Sequence, residues 1–170
     1  MTLFEKKLEN LEGLYLEQMK DLYDAEQQIL EALPEVEEKV ANQTLKKAVS
    51  DYQMQVKGQI ARLEQSFKEL GIKPETTKCK AMQGLVEEEK QSASRDAVPH
   101  VRDAGIIAST QRVQHYKIAG YGSVAAFAHH LKNRETEKLH SQSLKEEKNS
   151  DKLFSEIALD NANQAEAALA

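Results

Sequence analysis

Apolar residues recur every three or four positions over four long stretches of this chain, which is the spacing of amphipathic α-helices. The four stretches begin near Leu8, Leu45, Ile106 and Leu139. A shorter helical segment covers residues 79–92, between the second stretch and the third. Because no part of the chain has the pattern of a strand, the sequence predicts an all-α fold. We expect a four-helix bundle of two antiparallel helical hairpins, with a short extra helix in the crossover.

Residues that break or cap helices mark the ends of these stretches. Pro34 falls inside the first apolar stripe, so we expect the first helix to kink or break there. Asn42 or Thr44 can cap the second helix, and Gly71 is placed to end it. Pro99 suits the first turn of the third long helix.

The chain of 170 residues is long enough for one domain with its own core. We expect this single domain to cover residues 1–165. The residues from 161 onward continue no apolar stripe, so residues 166–170 are expected to form a frayed C-terminal tail.

Charge and cysteine content narrow the function classes. The chain has 28 acidic and 23 basic residues, a formal net charge of −5, and no basic stretch, so a nucleic-acid partner is not expected. No run approaches the ~18 apolar residues of a membrane span, and the first residues lack the apolar run of a signal peptide. The single Cys79 cannot form an internal disulfide, which favours a reducing cytoplasm.

Each long helix carries one polar residue where its apolar stripe should continue: Glu26, Gln55, Gln114 and Glu146. Inward-facing polar groups from four helices are how a bundle builds a two-metal carboxylate site. Two of these four are amides, which keep the shape of a glutamate without the charge that a metal ion needs. Further neutral groups lie nearby in the predicted layer: Tyr52, Gln59 and Gln142.

This polar layer has two interpretations. In the first it is structural, and its amides form hydrogen bonds across the core and to buried water. In the second it retains one or two metal ions. The histidines add little to the second interpretation, because His115 points about 100° away from Gln114 on a helix and His140 is expected to be exposed. We also expect the acidic run at residues 87–89 to be a solvated face.

Lys117 is the most unexpected residue of the third long helix, because it lies one turn from Gln114 on the same side. Its ammonium could reach solvent while the stem stays buried. Alternatively, it could compensate the charge of Glu26 or Glu146 and so take the electrostatic role of a missing cation. The same helix contains Gly105, Gly120 and Gly122, which cost helix propensity and favour close approach of another helix.

Several blocks of the sequence resemble the YciE/YciF family of ferritin-like proteins, with the YciF branch as the closer match. These blocks are residues 23–26, 58–65, 79–88, 101–104, 115–122 and 144–148. The resemblance covers nearly the whole chain. It implies a ferritin-like bundle, a homodimer, a link to bacterial stress responses and a di-iron-type carboxylate site.

The chain departs from the family at the positions where the resemblance implies metal ligands. Tyr52 stands where the family pattern has a histidine. Glutamate positions of the pattern are occupied here by Gln55, Gln114, Lys117 and Gln142. Only Glu26 and Glu146 still match acidic positions, so the resemblance implies a degenerate site in which these two are vestigial ligands.

Our main hypothesis is therefore a cytoplasmic, homodimeric, ferritin-like protein without a bound cofactor, whose role is binding or structural and not catalytic. The alternative is an enzyme, namely a functional di-iron or di-manganese protein that acts on peroxide or Fe(II). It would have to recruit acids placed outside the predicted layer: Glu64, Asp103 or Asp151. Metal content and oxidase or catalase assays distinguish the two.

Overall fold

A computed structural model describes the backbone of residues 7–169 and the side chains of residues 7–161. This part of the chain forms five helices: α1 (Leu11–Lys39), α2 (Gln43–Glu69), α3 (Lys80–Ser94), α4 (Pro99–His130) and α5 (Arg134–Leu169). The described residues include no β-strand, which confirms the predicted all-α class. None of the described helices is both long enough and apolar enough to cross a membrane.

Most of the predicted helix ends are confirmed. The Asn42 side chain accepts a hydrogen bond from the Leu45 amide at 3.0 Å and caps α2. Gly71 follows the end of α2 with a φ of 71°, a left-handed conformation that glycine adopts without strain. Pro99 is the first residue of α4. The break expected at Pro34 does not occur, because α1 continues through it.

The predicted domain limits lie partly outside the described residues, namely at residues 1–6 and 170. Helix α5 is described as far as Leu169, but its side chains are described only to Asn161. The frayed tail at residues 166–170 therefore stays a prediction.

Four of the helices contact one another in a ring. Helix α1 contacts α2 and α4, and α5 contacts the same two helices. Helix α3 lies across one side of this ring, against α1 and α4. The α1–α4 contact depends on Gly120, because a Cβ atom there would lie 2.6 Å from Leu22 Cδ2. The close approach expected at the three glycines of α4 is confirmed at Gly120. A Cβ atom at Gly122 would have nothing within 4 Å, and one at Gly105 would meet only Ser92 Cβ, at 3.9 Å.

The turn between α1 and α2 is tied to α4 by a buried carboxylate. Asp103 is 1% exposed and accepts hydrogen bonds from the backbone amides of Ala41, at 3.0 Å, and Asn42, at 2.8 Å. These amides precede α2 and have no partner within it. Asp103 thus satisfies them from a helix about sixty residues further along the chain.

The core consists of two apolar clusters. One surrounds Ile29, Leu33 and Val56, and the other surrounds Met19, Leu22 and Leu63. Along α1 and α2, the two clusters are separated by a single turn that carries Glu26 and Gln59. The helices are therefore apolar toward both ends of the core and polar at the level between them.

Candidate functional site

The level between the two apolar clusters holds one fully buried polar residue from each helix of the ring. These residues, each 0% exposed, are Glu26 on α1, Gln59 on α2, Lys117 on α4 and Glu147 on α5. Buried charges are costly unless they are paired and hydrogen-bonded, so their contacts decide whether the arrangement is stable.

The Lys117 ammonium lies at the centre of this layer, surrounded by four oxygen atoms. Its Nζ atom is 2.9 Å from Glu26 Oε2 and 2.8 Å from Glu147 Oε1. It also donates hydrogen bonds to Gln59 Oε1 at 2.7 Å and to the Tyr52 hydroxyl at 3.2 Å. The ammonium therefore does not reach solvent, and its contact with Glu26 is the one that the second interpretation of Lys117 requires.

The two carboxylates differ in how many donors they receive. Glu147 accepts hydrogen bonds from the Tyr52 hydroxyl at 3.1 Å and from the Gln55 and Gln59 amides at 2.9 and 2.8 Å. Glu26 accepts one, from the Tyr121 hydroxyl at 2.6 Å, and its Oε2 atom faces only the Lys117 ammonium. Glu26 is thus the less well satisfied of the two acids.

The charges of this layer are coupled. Burial raises the pKa of Glu26 to about 7, against the opposing effect of Lys117 and with a further increase from Glu147. Burial alone would lower the pKa of Lys117. The negative charges of Glu147 and Glu26 outweigh this effect and hold the pKa of the ammonium above its ordinary value. Lys117 is therefore charged at neutral pH, and Glu26 takes up a proton close to pH 7.

The prediction that Glu146 faces the interior is wrong. Its side chain is 29% exposed and forms an ion pair with the Arg62 guanidinium, and it accepts a hydrogen bond from the exposed Gln142 at 3.2 Å. The next residue, Glu147, supplies the buried carboxylate of α5. Adjacent residues of a helix point about 100° apart, so an error of one position exchanges the two roles.

Gln114 is buried as expected but does not touch the central ammonium. Its amide nitrogen is 3.2 Å from Ser150 Oγ, and its Oε1 atom has no hydrogen-bond partner. Of the residues predicted for the layer, four meet at the centre: Glu26, Tyr52, Gln59 and Lys117. Gln55 contacts the centre through Glu147, and Glu146 accepts a hydrogen bond from Gln59 at 3.4 Å.

Two buried titratable residues were expected to be exposed. His140 is 1% exposed and its Nε2 atom is 2.8 Å from the Tyr15 hydroxyl. Burial lowers the pKa of His140 to about 4, so its imidazole is neutral. Glu89, from the acidic run, is 0% exposed and accepts a hydrogen bond from the Thr110 hydroxyl at 2.6 Å. His115 is exposed, as its orientation relative to Gln114 predicts.

The ring of helices and its central layer lie within a stretch of sequence that matches a known protein family. Residues 10–167 match the family described as Domain of unknown function (DUF892). The chain belongs to this family.

A protein of known sequence and structure is similar to nearly the whole chain. The chain is 34% identical over 158 residues to Protein YciF of Escherichia coli strain K12, covering 92% of this chain and 95% of YciF. It matches the crystal structure of the E. coli stress protein YciF with a TM-score of 0.89, over 92% of this chain and 99% of that one. The resemblance to the YciE/YciF family is confirmed.

A second solved structure is similar to this DUF892 chain. It is YcfI of Rhodopseudomonas palustris, provisionally described as a structural protein, which is 36% identical. The match has a TM-score of 0.85 and covers 89% of this chain and 97% of YcfI.

The described acidic side chains of this DUF892 member do not converge on a metal site. Within residues 7–161 no group of three or more His, Cys, Asp or Glu side chains is placed to hold a metal ion. The acids that the enzyme hypothesis would recruit have other contacts. Glu64 accepts a hydrogen bond from the Tyr23 hydroxyl, Asp103 binds the α1–α2 turn, and Asp151 accepts one from Gln111.

Proposed function

We propose that this protein is a ferritin-like four-helix bundle with a non-catalytic, structural or binding role, in which the Lys117 ammonium takes the place of the metal ions of the central site. The observation that carries the proposal is the cage of four oxygens around Nζ, at 2.7 to 3.2 Å. The cation of this site is part of the chain.

The ring of contacts made by α1, α2, α5 and α4 supports the ferritin-like arrangement, with α3 as the extra helix of the crossover. Short turns join α1 to α2 and α4 to α5, which favours two antiparallel hairpins. The similarity to YciF over nearly the whole chain supports the same arrangement.

The donor set does not fit the di-iron or di-manganese centre that the fold family implies. A divalent ion between Glu26 and Glu147 would lie beside the Lys117 ammonium, and the two positive charges would repel each other strongly in a buried site. The other groups at the centre are neutral amides and phenols, which supply no negative charge to neutralise a divalent ion. We therefore derive no metal chemistry from this site.

The physiological setting of the proposal comes from relatives. YciF is named as a stress protein and YcfI as a structural one, and both descriptions suit a protein that acts through its surface. We extend them to this chain as a stress-associated role in the cytoplasm, exerted by a homodimer.

Metal analysis tests the proposal. The protein is purified without chelator, loaded anaerobically with Fe(II) or Mn(II), desalted and assayed for metal by elemental analysis, with helicity checked by circular dichroism. We expect close to no metal per chain, together with peroxide consumption and Fe(II) oxidation no faster than the free ions give. The Glu26→Gln and Glu147→Gln variants, each of which lacks one carboxylate of the central layer, are loaded in parallel. Any metal that they retain is bound elsewhere, on the surface.

One or two metal ions per chain in the wild type, absent from both variants, would overturn the proposal. That result would favour the enzyme of the rival hypothesis. Metal held equally by all three proteins would lie outside the central layer and would leave the proposal in place.

A further inference from the structure

The carboxyl group of Glu89 is buried between α3 and α4 without a full set of partners. It is 0% exposed, and the Thr110 hydroxyl donates to its Oε1 atom at 2.6 Å. Its Oε2 atom has no hydrogen-bond partner. None of the ion pairs formed by residues 7–161 includes Glu89. An ionised carboxylate in such a position is poorly tolerated.

The described charged groups of the surrounding helices form no ion pair with Glu89, and this includes Arg102 on α4, whose buried Nε atom has no hydrogen-bond partner. Lys90, the next residue of α3, is half-buried and pairs with the exposed Glu35 of α1 at 3.5 Å. On α4, Asp103 binds the α1–α2 turn and Arg112 lines an outer groove. None of these groups neutralises Glu89.

Toward the centre of the bundle, Glu89 faces neutral groups. Gln114 lies one helical turn from Thr110 on the same side of α4, and its buried Oε1 atom also lacks a donor. The Tyr52 hydroxyl is close enough for the Glu89 charge to contribute to its raised pKa, after the larger effects of burial and Glu147. This region thus has two acceptor oxygens without donors, and a proton on Glu89 would supply one.

We propose that Glu89 is a proton-operated latch for α3, which holds this helix in place as the neutral acid and loosens it on ionisation. Burial raises the pKa of Glu89 to about 7, so the change from acid to carboxylate falls in the physiological range. The inward face of α3 consists of Glu89 with Met82, Val86 and Ala93. Loosening it uncovers apolar surface of α1 and α4.

This latch is independent of the proposed function, because Glu89 has no contact with Lys117 and needs no metal. It would give the protein a pH-dependent apolar surface. The elements that it moves are α3 and its contacts, and the ring of four helices keeps its central layer.

Hydrogen–deuterium exchange of residues 80–94 between pH 6 and pH 8 tests the latch, after correction for the intrinsic pH dependence of exchange. We expect the opening equilibrium of this segment to rise about tenfold in the wild type as Glu89 ionises. In Glu89→Gln it should stay constant. The matched control is Glu88→Gln, at an exposed position of the same helix, which should behave as the wild type.

A pH-independent wild type, or the same rise in Glu89→Gln, would overturn the proposal. So would suppression of the rise by K⁺ or Mg²⁺ at pH 8, because a bound cation would then be neutralising the carboxylate. If Glu89→Gln does not fold, carbon-13 NMR of the glutamate carboxyls in the wild type decides. We expect the Glu89 carboxyl, assigned by comparison with a Thr110→Val variant that removes its hydroxyl donor, to titrate near pH 7, and titration below pH 5 would end the proposal.

Discussion

The ammonium of Lys117 on α4 lies 2.9 Å from the carboxylate of Glu26 on α1, and neither side chain has any surface exposed to solvent. The pair joins two helices that approach closely at Gly120, one turn further along α4. A buried ion pair of this kind contributes little net stability relative to apolar residues, but removing one partner leaves an uncompensated charge in the core.

Replacing Lys117 with methionine keeps most of the side-chain volume and removes the charge. We expect the free energy of unfolding to fall by about 3–5 kcal/mol at pH 8, because Glu26 and Glu147 then lose their shared cation. The loss should be smaller at pH 5, where protons can neutralise the two acids. Denaturant unfolding measures it, with Lys57→Met at an exposed position of α2 as the control. An unchanged transition midpoint would show that the cluster does not depend on this charge.

Glu26→Gln changes the pH dependence of stability. The folded-state pKa of Glu26 is raised to about 7, so the folded protein binds this proton more tightly than the unfolded chain does. Its contribution is therefore most favourable below the unfolded pKa and is lost as the pH rises toward 7. From pH 5 to pH 8 the variant should gain about 2 kcal/mol relative to the wild type. Parallel pH profiles for the wild type and variant would argue against a shifted Glu26, and Glu31→Gln, at an exposed position of α1, serves as the control.

The stability of His140→Phe relative to the wild type should depend on pH in the opposite direction to that of Glu26→Gln. The pKa of His140 is lowered to about 4, so the neutral imidazole contributes stability that is present above pH 6.5 and lost as the pH falls. At pH 8 the variant should lose about 1 kcal/mol, because the Tyr15 hydroxyl loses its partner. Relative to the wild type it should recover about 2 kcal/mol by pH 5. Urea unfolding at the two pH values measures both effects. His130→Phe, at an exposed position, should show no such recovery, and a recovery there would mean that the effect is not due to burial.

Replacing either of two glycines of α4 with alanine should change stability, in opposite directions for the two positions. The Cβ atom of Gly120→Ala would meet Leu22 Cδ2 at 2.6 Å, so Leu22 must move, and we expect a loss of about 1–3 kcal/mol. Gly122→Ala has open space around its Cβ position and should gain about 1 kcal/mol from helix propensity. Thermal unfolding compares them. Equal effects of the two substitutions would contradict the close approach of α1 and α4 at Gly120.

The helices and most of their ends could be predicted from the sequence, because apolar spacing and caps such as Asn42 and Gly71 are local signals. The inward-facing side of α5 could not be predicted in this way. Its buried side chains are mostly polar, so the apolar stripe does not mark the inward face. The buried side chains recur at helical spacing all the same: Thr136, His140, Ser143, Glu147, Phe154, Ile157 and Asn161. The exposed Leu153 and Leu159 shift the apparent stripe, which explains the choice of Glu146 over Glu147.

Glu89 was missed for a different reason. Its acidic neighbours Glu87 and Glu88 are exposed, and a run of like charges suggests a solvated surface. The spacing of Met82, Val86, Glu89 and Ala93 places Glu89 on the inward face of α3, and this was the signal that could have found it. Which atoms contact Lys117 depends on the rotation of four helices about their axes. Periodicity gives that rotation only to about one residue, and the contacts therefore required the structure.

The buried Asp103 has a consequence for the order in which the chain can fold. The amides of Ala41 and Asn42, at the start of the second helix, obtain their acceptor from a residue made about sixty positions later. The α1–α2 turn is made about sixty residues before that acceptor, so its amides are bonded to water until α4 arrives. Completion of the α1–α2 turn therefore requires docking of α4. A contact between residues far apart in the sequence thus forms late and completes a turn whose own residues are neighbours in the sequence.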